Sequence, residues 1–327
     1  MKSIIFCQAP SRIGEVLNCY EQERKERREV VIVVRNTHNC YLFLNELHLN
    51  AIVLFFDNPP SQRDVFTVKK KIKDDIKTLN IEIEDRIFFT DYDDDPFMGI
   101  YLAALNTHPI IWISPLTVLP TSIDRKGLPF IYKLRERVFS IMYGYSFRYT
   151  RIDHWSLSIN KQKYHYPEAK FKDLSVFSRY KIQPDVDFAS GQHVIFFTEP
   201  YRNKFHTQQD YDNLNRLIIE ELHKLGFKVS VKGHPRIGCH PLAQEMCDYV
   251  ISNYIPSEFL DVSNFKFAIG FVSTSLCSAS EQIKAYTVLP MCKVVDEKQY
   301  NYWIDYVQRN QKTGYVHFIK EFKEILQ

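Results

Sequence analysis

The sequence contains no apolar run of about 18 residues or more, the length that a helix needs to cross a bilayer. Its opening apolar run, Ile4–Cys7, is too short for the core of a signal peptide. The formal net charge is only +3, which is too small for a protein that grips the phosphate backbone of a nucleic acid. We therefore expect a soluble, cytoplasmic protein without a nucleic-acid partner.

Several sequence motifs are also absent. The seven cysteines are scattered, with no CxxC pair and no Cys/His spacing of a zinc site, so we expect reduced and mostly buried thiols. The chain contains no GxGxxG, GxxxxGK[ST], HExxH or GxSxG sequence. These absences leave nicotinamide-dependent, P-loop, zinc-protease and serine-hydrolase functions without support.

What the sequence does contain is enough apolar material for two domains. It has 327 residues, of which 45% are hydrophobic, and this length is typical of two cores. The first 115 residues alternate helix-like segments, such as Ile13–Lys25 and Asp64–Leu79, with short apolar runs. Such runs predict buried parallel strands between helices. The predicted strands are Ile4–Phe6, Val30–Val34, Ile52–Phe56, Ile87–Phe89 and Ile110–Ile113.

The pattern then changes. A helix-like stretch, Ile131–Tyr143, is followed by two strand-like pieces, Ser146–Ile152 and Trp155–Ile159. Residues 161–192 have no clear period and include Pro167, Pro184 and Gly191, which is typical of a linker. The sequence therefore predicts an N-terminal domain over 1–160, a linker over 161–192 and a C-terminal domain over 193–327.

A second α/β pattern begins at His193. A helix is predicted over Gln208–Leu225, with Gly226 at the position of a C-terminal cap. The predicted strands are Val194–Phe197, Val229–Val231, Phe267–Phe271 and, more weakly, Val288–Leu289. Two Rossmann-like halves joined by a linker predict an α/β protein of the GT-B architecture, with two domains facing each other across a cleft.

The segment Lys232–Arg236 reads Lys-Gly-His-Pro-Arg and directly follows a predicted strand. Ligands bind beyond the carboxyl ends of the strands in open α/β sheets. His234 there can donate to a phosphate or protonate a leaving group, and Arg236 adds positive charge. Pro235 fixes the path of the chain beside the imidazole. The alternative is a surface turn that happens to be basic.

The segment Gly270–Leu276 is a predicted strand running into a helix start. The hydroxyls of Ser273, Thr274 and Ser275, with the free N–H groups of the helix, would form an anion site suited to a phosphate. The alternative is a plain helix cap. Together with His234, these hydroxyls predict a nucleotide monophosphate or diphosphate site.

Two carboxylates are candidates for further roles. Glu258, in Ile255–Phe259, could accept hydrogen bonds from ribose hydroxyls, or simply follow Ser257 as the cap of a helix. Asp153 comes at a predicted strand end just before the linker and could take a proton from an acceptor hydroxyl. The alternative for Asp153 is a residue that only forms a turn.

The acidic run Asp91–Asp95 contains a DxD pattern, which holds a divalent metal in some glycosyltransferases. It lies in the first domain, away from the predicted phosphate site. We interpret it as a solvated loop and expect no metal.

With these motifs in this order, the chain resembles bacterial lipooligosaccharide and capsule sialyltransferases, and more weakly bacterial polysialyltransferases. The opening segment Ile4–Arg12 resembles the first strand and loop of that family, and Phe197–Pro200 resembles its strand-end Gln-Pro element. Lys232–Arg236 carries its His-Pro motif, Pro256–Glu258 its Pro-x-Glu element, and Ser273–Thr274 its Ser-Ser/Thr motif. The agreement covers roughly residues 193–285 and, in the first domain, mainly the opening loop.

The resemblance implies an inverting, metal-independent transfer of sialic acid from CMP-sialic acid to a sugar hydroxyl, with no cofactor. His234 would bind or protonate the departing CMP phosphate, and Ser273 and Thr274 would hold it. Glu258 would contact the ribose, and Asp153 would act as the base. Further nucleotide contacts would come from Gly233, Pro235, Arg236, Gly270, Ser273, Thr274 and Ser275. The opening loop would contact donor or acceptor through Gln8, Ala9, Pro10, Ser11 and Arg12.

The chain departs from the family pattern at the base. Related families often show a pair of acidic residues followed by Gly, whereas this chain reads Ile-Asp-His over 152–154. Asp210, Asp212 or Glu199 could hold the role instead. Other donors, such as a CMP-linked Kdo-like acid or a CDP-polyol, and a non-catalytic nucleotide-sugar-binding assembly factor stay open.

The expected partners are a CMP-sugar donor and an oligosaccharide or glycolipid acceptor, with a terminal galactose of a capsule, O-antigen or lipooligosaccharide precursor as the acceptor sugar. A homodimer and a peripheral contact at the inner face of the membrane stay open. Basic runs such as Lys69–Lys71 would serve such a contact, although Asp74 and Asp75 beside them are typical of a solvated helix face.

Overall fold

The computed structural model describes residues 1–57, 65–90, 97–115, 129–151, 156–202, 205–311 and 314–326. The chain divides into two compact units, Met1–Val176 and Phe177–Gln327. Each unit contains one six-stranded parallel sheet with helices between its strands. The two Rossmann-like domains predicted from the sequence are thereby confirmed.

The first sheet is built from strands that follow one another with helices between them, in the spatial order β3-β2-β1-β4-β5-β8. Its strands are β1 (Lys2–Cys7), β2 (Glu29–Arg35), β3 (Ile52–Phe56), β4 (Arg86–Thr90), β5 (Ile110–Ile113) and β8 (Glu168–Ala169). The helices of this unit are α1 (Ile13–Lys25), α2 (His38–Glu46), α3 (Val65–Leu79), α4 (Phe97–Ala104), α5 (Phe130–Tyr143) and α6 (Lys161–Tyr164); α7 (Val176–Arg179) begins at the boundary.

The five strands predicted for this unit all form. Three of them, β1, β2 and β4, are almost wholly buried, and strands buried on both faces have continuous apolar sequences. The strand-like pieces after α5 form an antiparallel pair, β6 (Phe147–Arg151) and β7 (Ser156–Ile159). Within the segment 161–192, β8 pairs with β5, and the unit boundary follows Val176. The structure thus gives the two ends of the predicted linker to different units.

The second sheet has the order β11-β10-β9-β12-β13-β14, and all of its strands run parallel. Its strands are β9 (His193–Phe197), β10 (Lys228–Lys232), β11 (Tyr249–Ile251), β12 (Ala268–Gly270), β13 (Ala285–Thr287) and β14 (Val316–Phe318). The helices are α8 (Gln208–Lys224), α9 (Pro241–Met246), α10 (Thr274–Ala279) and α11 (Glu297–Asn310). Both sheets therefore reverse their strand order beside their first strand, which is where open α/β sheets leave a crevice for ligands.

Helix α8 shows how the sequence sets an element of this unit. The hydroxyl of Thr207 accepts the N–H of Asp210 at 3.1 Å and so caps the helix start. Leu214, Ile218 and Leu222 are buried on one face, and Gly226 follows the helix with φ +82. The predicted helix and its glycine cap are confirmed.

One strand prediction is wrong. Val288–Leu289 was expected to be a strand, but the strand ends at Thr287 and a 3-10 turn covers Leu289–Met291. Pro290 lacks the N–H that a strand would donate, and the Thr287 hydroxyl instead accepts the N–H of Leu289 at 3.2 Å.

All seven cysteines lie in described parts of the chain; they are unpaired, and five are buried. None of the helices in the described ranges is both long enough and apolar enough to cross a membrane.

Candidate functional site

The motifs of the second unit lie at one edge of its sheet. Strand β9 has β10 on one side and β12 on the other. Glu199 follows β9, His234 follows β10 and Ser273 follows β12. Because neighbouring strands are about 4.8 Å apart, the ends of β10 and β12 are separated by roughly 10 Å. The structure thus places the His-Pro and Ser-Thr motifs on either side of the central strand, at the point where the strand order reverses.

His234 is held by the loop that follows β10. The backbone N–H of His234 donates to the carbonyl of Gly238 at 3.0 Å, and the backbone N–H of Gly238 donates to the carbonyl of His234 at 2.9 Å. The N–H of Arg236 donates to Nδ1 of the imidazole at 3.1 Å. Since Nδ1 accepts, the proton of the neutral ring lies on Nε2. His234 is therefore oriented as a hydrogen-bond donor through Nε2.

The surroundings of His234 keep it neutral. Burial of the half-buried ring, together with the charges of Arg202, Arg236 and Lys232, lowers the pKa of His234 to about 4. The same charges that disfavour the imidazolium attract an anion. A neutral N–H donor among three cations is an arrangement suited to a phosphate.

Lys232 contributes its charge from below the loop. Its side chain is only 2% exposed, and its ammonium donates to the carbonyl of Gly233 at 3.1 Å. Burial lowers the pKa of Lys232 to about 8, while Cys239 and Glu258 act in the opposite direction. At neutral pH most of this lysine is still charged, so a buried positive charge lies directly beneath the His234 loop.

Gly233 is required by the packing of this loop. A Cβ atom there would lie 2.5 Å from the backbone nitrogen of Cys239 and 2.7 Å from Oδ1 of Asn253. Both distances are far below ordinary contact, and one involves backbone that moves only with the loop. Gly233 therefore lets the loop close, and its predicted contact with the nucleotide stays a prediction.

Replacing Gly233 with Ala should lower the free energy of unfolding by about 1–3 kcal/mol, the usual cost of overpacking. Urea unfolding of the two proteins measures it. The matched control is Gly226→Asn, since Gly226 has φ +82 with open space around it and Asn tolerates that conformation. Equal urea midpoints for Gly233→Ala and the parent would show that the loop opens without cost.

The Ser-Thr motif forms the start of a helix, which both the phosphate-site prediction and its alternative, a plain helix cap, had included. The hydroxyl of Ser273 accepts the N–H of Ser275 at 3.0 Å at the start of α10. A hydroxyl that accepts in this way still carries its own hydrogen as a donor, and Thr274 is exposed beside it. Gly270 lets β12 approach β9, because a Cβ there would lie 3.0 Å from the carbonyl oxygen of Phe197. Phosphate binding by these hydroxyls stays a prediction.

Glu258 lies in a 3-10 turn, Ser257–Phe259, that packs against α10. One of its carboxylate oxygens accepts the hydroxyl of Ser257 at 3.2 Å. The charge of Glu258 acts to raise the pKa of Lys232. The structure therefore brings the Pro-x-Glu element to the same side of the sheet as the other two motifs.

The three alternative bases are each engaged by a neighbour. Glu199 accepts from Arg202 at 2.8 Å, Asp210 accepts the hydroxyl of Thr207 at 2.6 Å, and Asp212 lies 2.8 Å from His240. Burial raises the pKa of Glu199, although Arg202 acts against that rise. The preferred base, Asp153, lies outside the described residues.

The DxD motif, Asp91–Asp95, also lies outside the described residues. Among the residues that are described, no group of three or more His, Cys, Asp or Glu side chains is arranged to hold a metal. Independence of metal stays a prediction.

The opening loop of the first unit lies at the equivalent edge of its own sheet, after β1. The side-chain oxygen of Gln8 accepts from the hydroxyl of Thr90 at 3.3 Å. The backbone carbonyl of Gln8 accepts from the hydroxyl of Thr37 at 3.0 Å. Ala9 is buried, and a 3-10 turn covers Pro10–Arg12. Ser11 is exposed, and Arg12 pairs with Glu15 at 3.2 Å. Within this loop Ser11 is exposed to solvent, whereas Gln8 is buried and its side chain contacts Thr90.

Two arginines near strand ends were not predicted from the sequence to be part of a site. Arg202 lies in the loop after β9 and influences His234 from there. Arg35 ends β2, is 1% exposed, and its guanidinium lies 4.5 Å from the ring centre of Tyr101. A charged residue that closes an apolar strand was the available signal for Arg35. Arg202 gave no such signal, because its effect on His234 crosses 32 residues of sequence.

Two Rossmann-like units in one chain define a protein of the GT-B fold, and the second unit carries a group of cations around His234 at its strand ends. No protein-family model and no curated protein matches the sequence.

Solved structures of similar fold are known. The GT-B domain of a sialyltransferase from Photobacterium damselae aligns over 97% of this chain and 100% of its own, with 11% identity and a TM-score of 0.49. A UDP-GlcNAc 2-epimerase from Methanocaldococcus jannaschii aligns over 96% and 94%, with 10% identity and a TM-score of 0.47. The E. coli ADP-heptose LPS heptosyltransferase II aligns over 88% and 84%, with 10% identity and a TM-score of 0.40. The fold of this chain rests on its own two sheets rather than on these similarities.

Proposed function

We propose that this chain is a glycosyltransferase that takes its sugar from a nucleotide donor, and that the donor is CMP-sialic acid. The observation that carries the proposal is the state of His234 at the strand ends of the sheet: its Nδ1 accepts the backbone N–H of Arg236, and the charges of Arg202, Arg236 and Lys232 help to keep the ring neutral. Such a set of groups binds a phosphate whose negative charge grows as the sugar departs.

The proposed reaction is a single displacement with inversion at the anomeric carbon. The acceptor hydroxyl oxygen forms the new bond to that carbon while the carbon–oxygen bond to the CMP phosphate breaks. The electron pair of the broken bond stays on the phosphate oxygen, where His234 Nε2–H and the cations stabilise it. Asp153 receives the proton of the acceptor hydroxyl. The departing group is a monophosphate, so no metal is required to bridge two phosphates.

The other motif residues take the roles that the resemblance implies. The hydroxyls of Ser273 and Thr274 donate to the phosphate from the β12 side, and Glu258 accepts from the ribose. The packing of the Glu258 turn against α10 supports this grouping, because it brings both motifs to one place. Ser11 and Arg12 of the first unit are proposed to contact donor or acceptor.

CMP should raise the apparent stability of the protein, and the rise should survive EDTA. A ligand at 100 times its dissociation constant stabilises the folded state by about 2.7 kcal/mol. A thermal-shift titration with CMP, CDP, UMP and UDP, with and without EDTA, measures this. Ser273→Ala is the matched variant, and it should weaken the response to CMP.

A preference for UDP or UMP, or a need for metal, would overturn the CMP-sialic acid donor while leaving nucleotide binding intact. A preference for CDP would point to a CDP-polyol donor. Binding of CMP without transfer from CMP-sialic acid to any galactoside would favour a non-catalytic binding protein.

A further inference from the structure

Helix α5 of the first unit has an outward face that is apolar. The helix is held by its inner side, where Tyr143 is buried and the carboxylate of Glu136 accepts the N–H of Tyr149 at 2.8 Å. The outward apolar side chains are between 37% and 80% exposed. They are Phe130, Ile131, Leu134, Val138, Ile141 and Met142. Six large apolar side chains on a single helix face form a patch that a protein surrounded by water does not ordinarily expose.

The spacing of these residues makes the patch a continuous stripe. At about 100° per residue, Phe130, Leu134 and Ile141 lie within roughly 40° of one another around the helix axis, and the other three extend the stripe to roughly 120°. The buried residues Glu136 and Tyr143 lie on the opposite side. The 14 residues of α5 make the stripe about 21 Å long.

Cations border the stripe on both edges. Lys133 and Arg137 lie along one edge and Arg135 along the other, and all three are exposed. The acidic residue of the helix, Glu136, is buried on the inner side. The exposed surface of α5 is therefore apolar in the centre and positive at its borders.

The positive charge continues onto α3. The ammonium of Lys69 lies 4.0 Å from the position that a Cβ atom at Gly144 would occupy, directly after the end of α5. Lys70 and Lys73 of the same helix are also exposed. Lys69, the first residue of the basic run recognised in the sequence as a candidate contact, thus lies beside the end of α5, whereas Lys71 of that run pairs with Asp75 at 2.9 Å.

We propose that the outward face of α5 docks onto a bilayer surface that contains anionic lipid, with the helix lying in the plane of the interface. The apolar stripe enters the boundary between headgroups and acyl chains, and the flanking lysines and arginines reach the lipid phosphates. The charge of the surface favours an anionic bilayer as the partner. Both borders of the stripe are positive, which matches a negatively charged surface that extends beyond the helix on both sides. The proposal does not depend on the transferase activity.

Co-sedimentation with lipid vesicles tests the proposal on the full chain. Vesicles of equal parts phosphatidylglycerol and phosphatidylcholine should bind the protein, vesicles of phosphatidylcholine alone should bind it less, and added salt should weaken the first interaction. The double variant Leu134→Glu/Ile141→Glu should lower the partition coefficient on the mixed vesicles by about tenfold or more, because it puts charge into the apolar stripe.

The matched control is Ile83→Glu. Ile83 is 68% exposed in the turn between α3 and β4, so the substitution adds the same kind of charge elsewhere on this unit. It should leave vesicle binding unchanged, and both proteins should keep the thermal unfolding transition of the parent. Light scattering with size-exclusion chromatography reports the oligomeric state of each.

Failure of the parent to bind the mixed vesicles would overturn the proposal, as would equal binding by the parent and the double variant. If the parent is a dimer in solution and the double variant alone is a monomer, the stripe forms a contact between two copies of the chain and not a membrane contact. CMP binding reports the proposed function separately, since none of these substitutions lies in the nucleotide unit.

Discussion

Replacing His234 with Ala is expected to lower the turnover number by about 10²–10³-fold, the effect of removing one donor that stabilises developing charge. The physical reason is the state of the ring: Nδ1 accepts the backbone N–H of Arg236, and burial together with the nearby cations lowers the pKa of His234 to about 4. At neutral pH the ring is therefore neutral and acts through Nε2–H. Steady-state transfer from CMP-sialic acid measures the loss.

The variant His234→Gln separates a hydrogen-bond donor from a general acid. The amide nitrogen of Gln can replace Nε2–H but cannot deliver a proton, so it should recover about tenfold over Ala if donation is what matters. The pH dependence of kcat/KM reports the groups of the free enzyme. Since the pKa of His234 there is lowered to about 4, kcat/KM of the parent should show no step near the ordinary histidine pKa of 6.5. A step there, or a Gln variant no better than Ala, would contradict the neutral-donor role.

His223 provides the control. It lies in the last turn of α8 and pairs with Asp248 at 2.9 Å. This is the C-terminal end of the helix, whereas its N-terminal end follows β9. Replacing it with Ala should leave turnover unchanged. A similar loss in both variants would point to a general effect on the fold of the unit.

Replacing Asp153 with Asn is expected to lower turnover by about 10²–10⁴-fold, the usual contribution of a general base. CMP affinity should stay the same, because the base meets the acceptor and not the nucleotide. Single-turnover transfer measures the first effect, and CMP titration measures the second.

Glu199→Gln is the informative comparison, since burial raises the pKa of Glu199 toward the range useful for a base. We expect the opposite pattern: the substitution removes the negative charge that pairs with Arg202, so CMP should bind more tightly while turnover persists. If Glu199→Gln abolishes transfer and Asp153→Asn does not, the base is Glu199.

Much of the fold could be predicted because local patterns carry it. Strands such as β2 and β9 are buried on both faces and appear in the sequence as continuous apolar runs. The strands β8, β11 and β14 have only two or three residues each and form by pairing with segments distant in the sequence. Such short strands have no local sequence pattern from which they could be predicted. Val288–Leu289 was apolar enough for a strand, but Pro290 ended that possibility in the folded chain.

The sequence by itself determined that two Rossmann-like units follow one another and that the His-Pro and Ser-Thr motifs end strands of the same sheet, because periodicity and chain order are local properties. Only the tertiary structure decided the state of the site. The neutral ring of His234 depends on burial and on Arg202, and the small space at Gly233 depends on Asn253. Burial and electrostatic fields arise between residues far apart in the chain, so they exist only once the sheet has brought its strand ends together.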